Sequence, residues 1–170
     1  MSSSFRILPA GPDDLALVRT LAEVIWREHY PSILEVAQVD YMLERMYAPT
    51  VLERELGEGI AFDLAYVDER PVGYASYGPS GRPHEWKLHK LYVLATERGL
   101  GRGAAMLERV EQRARAAGAR TVVLQVNKRN VVAIRAYERA GYRIRQAATF
   151  DIGGGYVMDD YVMERELADG

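Results

Sequence analysis

Arg98-Gly99-Leu100-Gly101-Arg102-Gly103 lies between the strand-like run Lys87 to Val93 and an apolar-periodic stretch that reads as a helix from about Gly103. Three glycines at alternate positions let the main chain come close to a ligand. The helix that follows offers its unpaired N–H groups and the positive end of its dipole to an anion. The stretch reads as a pyrophosphate cradle, and the fold turns on which phosphate compound it suits.

Downstream of the cradle, Ala104, Leu107, Val110, Ala114 and Ala117 set out one face of a helix that Gly118 ends. Residues 121–126 form a nearly continuous apolar strand of the kind covered on both faces, and 131–140 a short helix stopped by Gly141. Residues 142–152 and 156–166 read as paired strands around Gly153-Gly154-Gly155. Upstream, 61–67 and 72–77 flank the turn signal Asp68-Glu69-Arg70-Pro71 and make a hairpin, with a further strand over 85–94. Before them come a strand at 5–8, a helix opened by Pro12 and ended by Pro31, and two helical pieces at 39–46 and 50–56 parted by Pro49. Strand–helix–strand units give parallel neighbours and hairpins give antiparallel ones. The expected fold is therefore α/β with a mixed sheet and helices on both faces.

Composition bounds the rest. The chain of 170 residues, 48% hydrophobic and 27% charged, suits one domain, 1–170, with one sizeable core. Its net charge of −2 argues against a nucleic-acid partner held by a basic field. With no cysteine there is no disulfide, no thiolate zinc and no cysteine acyl intermediate. No apolar run has membrane-spanning length, and Met-Ser-Ser-Ser-Phe-Arg lacks the apolar core of a signal peptide, so a cytoplasmic protein without a membrane partner is expected. The three histidines, His29, His84 and His89, are not grouped for a metal, and none is expected.

Three readings of the cradle compete. An NTPase loop needs Gly-x-x-x-x-Gly-Lys-Ser/Thr, which this chain lacks. A dinucleotide site could use Gly99, Gly101 and Ala104, but it wants an acid at the end of the next strand, and 121–127 contains none. The third reading joins the cradle to Asn130-Val131-Val132-Ala133-Ile134-Arg135-Ala136-Tyr137-Glu138-Arg139-Ala140-Gly141-Tyr142.

This pair of motifs resembles the GNAT superfamily of acetyl-CoA-dependent N-acetyltransferases. Arg98, Gly101 and Gly103 match its Arg/Gln-x-x-Gly-x-Gly/Ala, and Asn130, Ala133, Tyr137, Gly141 and Tyr142 match its Asn-x-x-Ala-x-x-x-Tyr-x-x-x-Gly-Phe/Tyr. The tail from Asp151 to Tyr156 and the run from Lys87 to Val93 look like small bacterial members related to polyamine acetyltransferases. The resemblance implies the acyl-CoA N-acyltransferase fold, with a mixed central sheet of about seven strands.

It also implies acetyl-CoA as co-substrate. Amides of Gly99, Leu100, Gly101, Arg102, Gly103 and Ala104 would hold the pyrophosphate, with Arg98 and Arg102 adding charge. Leu91, Tyr92 and Val93 would offer strand-edge contacts to pantetheine, with Asn127, Asn130 and Ala133 near the coenzyme. The N–H near Val93 would serve as oxyanion donor and Tyr137 as the acid for the departing thiolate. His89 is the first candidate base and Glu85 the second, possible through water. Lys87 stands where some relatives place a glutamate.

The acceptor expected is a primary amine of a small molecule or peptide: a polyamine, an amine metabolite or a peptide N-terminus. A protein or ribosomal N-terminal acetyltransferase, a non-catalytic acyl-CoA sensor and a dinucleotide oxidoreductase are the alternatives, and either a monomer or a homodimer suits the reading. Glu28, Tyr30, Tyr77 and Trp86, with Trp26, His29, Tyr41, Asp159 and Asp160, are available for the acceptor, since aromatic faces and acids suit a cationic amine. Each residue also has a plainer role. Asn130 caps its helix, Asn127 ends its strand, Tyr137 and Trp26 fit helical core positions, His89 has a satisfied structural place, and Asp159-Asp160 read as a solvated turn.

Overall fold

In the computed structural model, which describes residues 2–168, strand β1 (Phe5–Pro9) leads through a 3-10 turn at Pro12–Asp14 into α1 (Leu15–His29). Asp14 fastens this entry, its Oδ2 accepting from the Gly11 N–H at 2.9 Å. The buried residues of α1, Leu15, Val18, Leu21, Ala22, Ile25 and Trp26, follow the spacing that seats one face of a helix. After a 3-10 turn at Tyr30–Ser32 come α2 (Val36–Tyr47) and α3 (Pro49–Gly57). Pro49 opens α3 at its first position, where a missing N–H is one the helix would leave unpaired anyway.

Among the described residues seven strands are hydrogen-bonded in the order β1-β2-β3-β4-β5-β7-β6, with β4 and β5 parallel and the β1–β2, β2–β3, β5–β7 and β7–β6 pairs antiparallel. This is the mixed sheet expected. The described residues divide into two compact units. One holds those up to Tyr77 together with Lys90–Leu107, the other Gly78–His89 and those from Glu108 onward.

In the first unit, β2 (Ala61–Val67) pairs with β1 from Phe5↔Val67 and with β3 (Arg70–Pro79) from Val67↔Arg70. The hairpin turn is tighter than the sequence suggests. Arg70 and Pro71 already pair with Val67 and Tyr66, which leaves Asp68 and Glu69 at the tip, Asp68 with φ of 53°. Within β3, a Cβ on Gly73 would lie 2.7 Å from the carbonyl oxygen of Tyr92, so only glycine lets these strands come this close. The core gathers Trp26, Tyr47, Phe62, Leu64 and Tyr74, each at most 1% exposed. Burying each such side chain contributes roughly 1.5–3 kcal/mol. The hydroxyls of Tyr47 and Tyr74 lie 2.6 Å apart, so each buried polar atom meets another. Burial, ahead of the neighbouring Tyr74 for Tyr47 and of Tyr92 for Tyr74, holds both hydroxyls well above the usual tyrosine range.

The second unit begins with the first half of β4 (Glu85–Val93), which pairs with β5 (Thr121–Asn127) from Glu85↔Thr121 to Leu88↔Leu124. β5 continues against β7 (Tyr156–Glu166) as far as Asn127↔Asp160, and β7 pairs in turn with β6 (Arg143–Gly153). The expectation of a β5 covered on both faces needs correcting at Gln125, which is exposed. α5 (Val131–Arg139) follows β5.

α4 (Arg102–Ala116) starts in the first unit and continues in the second. Its buried face is also not quite the expected one. Ala104 and Ala117 are exposed, whereas Met106 and Glu111 join Leu107, Val110 and Ala114 inside. Glu111 tolerates burial because its two oxygens accept from Arg165 Nη1 at 2.9 Å each, and Oε2 also accepts from Tyr142 Oη at 2.9 Å.

Candidate functional site

The glycine stretch sits in the first unit. Val93 ends β4, a 3-10 turn at Ala95–Glu97 follows, and α4 opens at Arg102. Gly99 and Gly101 have φ of 77° and 78°, left-handed values that side chains disfavour. Gly103 differs from them. It lies in the first turn of α4 with no positive φ, and a Cβ there would only just touch Val93 Cγ2 at 4.0 Å. The stretch is therefore two left-handed glycines feeding a helix start, whose first N–H groups have no partner within the helix.

Charge at the cradle is distributed unevenly. Glu97 is 7% exposed and takes Arg70 Nη2 at 2.6 Å on one oxygen and Arg102 on the other. The Arg102 guanidinium, expected to add charge to a phosphate, thus faces Glu97 and stacks 5.5 Å from the Phe5 ring. Arg98 is exposed, its Nε donating to the Val93 carbonyl at 3.4 Å. Leu100, Gly101 and Ala104 are exposed, and Leu91 and Tyr92 half-buried. The Tyr92 hydroxyl lies 3.0 Å from that of Tyr30.

The second motif sits in the second unit. Asn127 ends β5 with its Oδ1 accepting from the Arg129 N–H at 2.8 Å, and Asn130 caps α5 with its Oδ1 accepting from the Ala133 N–H at 3.4 Å. Both oxygens therefore serve the main chain. Tyr137 is half-buried, its ring 5.8 Å from that of Tyr142.

Strand register gathers a polar face in this unit, because directly opposed residues share a side of the sheet. Glu85 and Lys87 stand opposite Thr121 and Val123. Asn127 stands opposite Asp160, and Val123 opposite Glu164. Glu85 is committed there, since Oε1 accepts from Ser80 Oγ at 2.8 Å and Oε2 from Arg145 Nη1 at 3.0 Å. Lys87 and His89 are half-buried on β4. Asp159 and Asp160, expected in a solvated turn, stand within β7 instead. Asp159 is exposed and pairs with Lys128 at 2.8 Å, while Asp160 is 5% exposed. Strand alternation divides them. Burial, then the neighbouring Asp159 charge, pushes the Asp160 carboxyl up to about 6, against the pull of Lys87 and Lys128.

Several residues expected at an acceptor site belong to the core. Tyr77 has no exposed surface, and its hydroxyl donates to Asp63 Oδ2 at 2.9 Å. Trp26 and Tyr30 are 1% and 5% exposed and stack with centroids 4.5 Å apart. Glu28 is exposed on α1, while His29, Tyr41 and Trp86 are half-buried. Sequence reasoning missed the buried charges Glu97, in the 3-10 turn before the glycines, and Glu111, which occupies a place on α4 that periodicity alone assigns to an apolar side chain. Among the described residues no group of three or more His, Cys, Asp or Glu could hold a metal ion, and no helix is long and apolar enough to cross a membrane.

A model of the Acetyltransferase (GNAT) family matches residues 18–142. The chain belongs to this family. An N-acetyltransferase of Mycobacterium tuberculosis, named as uncharacterized, is 40% identical over 100 residues, 59% of this chain and 63% of the relative. The L-methionine sulfoximine/L-methionine sulfone acetyltransferase of Pseudomonas aeruginosa is 36% identical over 77 residues, 43% of this chain and 44% of that enzyme. The chain thus spans less than two thirds of the length of these curated GNAT relatives. Among solved structures, PaiA N-acetyltransferase from Thermoplasma acidophilum in complex with coenzyme A has a TM-score of 0.80, with 20% identity and coverage of 96% of this chain and 99% of that one. At that identity the likeness concerns the GNAT fold, which the mixed seven-stranded sheet shares.

Proposed function

We propose that the chain is an acetyl-CoA-dependent N-acetyltransferase that moves acetyl directly to a primary amine. The observation that carries this reading is the left-handed pair Gly99 and Gly101 opening α4 in a member of this family. Backbone N–H groups from Gly99 to Ala104 suit a diphosphate, since two glycines without Cβ leave the main chain open to it. Arg98 is the exposed cation of the stretch, whereas Arg102 contributes its N–H while its side chain serves Glu97. Leu91, Tyr92 and Val93 are the strand residues assigned to the pantetheine arm.

In the reaction, the neutral amine attacks the thioester carbonyl. The C–N bond forms, the C–S bond breaks, and Tyr137 gives a proton to the leaving sulfur. The N–H near Val93 stabilises the oxyanion. His89 remains a base candidate. Glu85 is held by Ser80 and Arg145 and is better suited to bracing β4. With no cysteine in the chain, a cysteine-borne acyl-enzyme has no carrier, and direct transfer is the simplest scheme.

The acceptor is a small amine, with an amino-acid-like amine, a polyamine and a peptide N-terminus as the classes to test. The Pseudomonas relative's name favours the first.

Thermal shift and a thiol-release assay test the reading. Acetyl-CoA and CoA at about 100 times Kd stabilise by about 2.7 kcal/mol, which raises Tm by roughly 5–10 °C, while NADH leaves it unchanged. Thiol release with an amine panel then separates an enzyme from an acyl-CoA sensor. No CoA-induced shift sinks the proposal, and a shift without thiol release leaves the sensor.

A further inference from the structure

Among the described residues four carboxylates are buried, and Glu97, held by Arg70 and Arg102, and Glu111, held by Arg165 and Tyr142, have both oxygens engaged. Asp63 and Asp160 each keep Oδ1 buried with no hydrogen-bond partner, but Asp63 Oδ2 accepts from Tyr77, whereas Asp160 stands beside charged groups that do not bond that oxygen. Leaving a buried carboxylate oxygen unpaired is costly, and a fold keeps such a group where something outside it completes the bonding. The nearby cations do not do so. Lys128 Nζ is engaged by Asp159 at 2.8 Å, and Lys87 acts on Asp160 through its charge.

Asp160 also stands in a suitable place. It is directly opposite Asn127, the last residue of β5, three positions before the cap of α5, the helix that carries Tyr137. By register it lies on the sheet side that bears Glu85 and Lys87.

We propose that Asp160 receives the protonated nitrogen of the acceptor amine and takes its proton. The assignment rests on the acetyltransferase reading and deepens it, since it makes the acceptor a cationic primary amine. The protons balance. The ammonium carries three: one passes to Asp160 and on to solvent, one leaves as the C–N bond forms and reaches the thiolate by way of Tyr137, and one remains on the amide. A carboxyl pushed up to about 6 is ionised at neutral pH yet more basic than an ordinary aspartate. Burial is the first cause of this value and Asp159 on the same strand the second, with Lys87 on β4 and Lys128 after β5 pulling the other way, while the opposed residues Asn127 and Ala148 are uncharged.

The test is Asp160→Asn, assayed by thiol release with L-methionine sulfone, benzylamine, putrescine and an alanyl peptide from pH 5 to 9, alongside acetyl-CoA affinity by calorimetry. The expected result is a fall in kcat/KM of about 100-fold at pH 7 and loss of the limb near pH 6, with acetyl-CoA affinity within about twofold of wild type. Asp160→Glu, which restores a carboxylate, recovers part of the rate. A variant that keeps the wild-type rate, or loses rate but keeps the limb near pH 6, overturns the assignment alone. Wild-type protein that binds acetyl-CoA but acetylates no amine overturns the transferase reading and this assignment with it.

Discussion

The Nζ of Lys90 lies 3.0 Å from Glu55 Oε2, with the lysine 4% exposed between the rings of Tyr47 and Phe62. Burial lowers the pKa of this lysine, and the attraction of Glu55 only partly offsets that. A buried ion pair of this kind is a poor source of stability but a severe liability when halved. Glu55→Ala is therefore expected to cost about 3 kcal/mol in urea unfolding. Replacing both residues, Lys90→Met with Glu55→Leu, is expected to come within about 1 kcal/mol of wild type. Equal losses in the single and double variants contradict this account.

The cradle glycines are not equivalent, and substitution separates them. Gly101→Ala forces a side chain into a left-handed backbone, a cost of about 1–2 kcal/mol, and is expected to weaken CoA binding. Gly103→Ala sits in helical backbone with its nearest contact at 4.0 Å, and is expected to raise stability by about 0.5–1 kcal/mol with CoA affinity retained. Calorimetry with CoA and a melting curve for each variant check both. The opposite order of affinities counts against the cradle.

For Tyr137→Phe, turnover in the thiol-release assay is expected to fall about 100-fold while CoA affinity stays within about twofold, because only the proton-donating oxygen is lost. Full activity across the pH range removes Tyr137 from the acid role.

Asp160 carries a stability signature of its own. Its folded pKa of about 6 exceeds the ordinary 3.8, so the unfolded chain ionises first and stability declines as pH rises from about 4 to 6, the cost being complete above that. Asp160→Asn removes the charge and is expected to stabilise by at most about 3 kcal/mol at pH 7.5, with the gain shrinking towards pH 4. Melting temperatures at pH 7.5 and 4.5 read this directly, and a pH-independent difference would falsify it.

The repeating elements were legible in the sequence because their periods are strong. Residues 61–67 were placed to the residue, and the helix expected between Pro12 and Pro31 is α1. Asn130 marked a helix start through the chemistry of caps, and Pro49, read as the break between two helical pieces, is the first residue of the second. Pairwise interactions were not legible. Period alone puts Glu111 on the inner face of α4 without naming the Arg165 that permits it, and nothing near Asp160 in the chain separates it from Asp159 until the pleat turns one inward and the other out. Tyr77 looked like an acceptor contact for the same reason, since its partner Asp63 lies across the hairpin.

Glu97 precedes Gly99 by two residues and its partner Arg102 follows Gly101 by one, so the ion pair ties off the segment at both ends, and Arg70 moors it to β3. Two glycines in series would otherwise wander through many shapes. The knot removes that freedom when the chain folds, so the anion proposed to bind there would meet a rim already set. Loosening it, by contrast, would transfer the ordering penalty to the moment of association and show first as faster ligand escape.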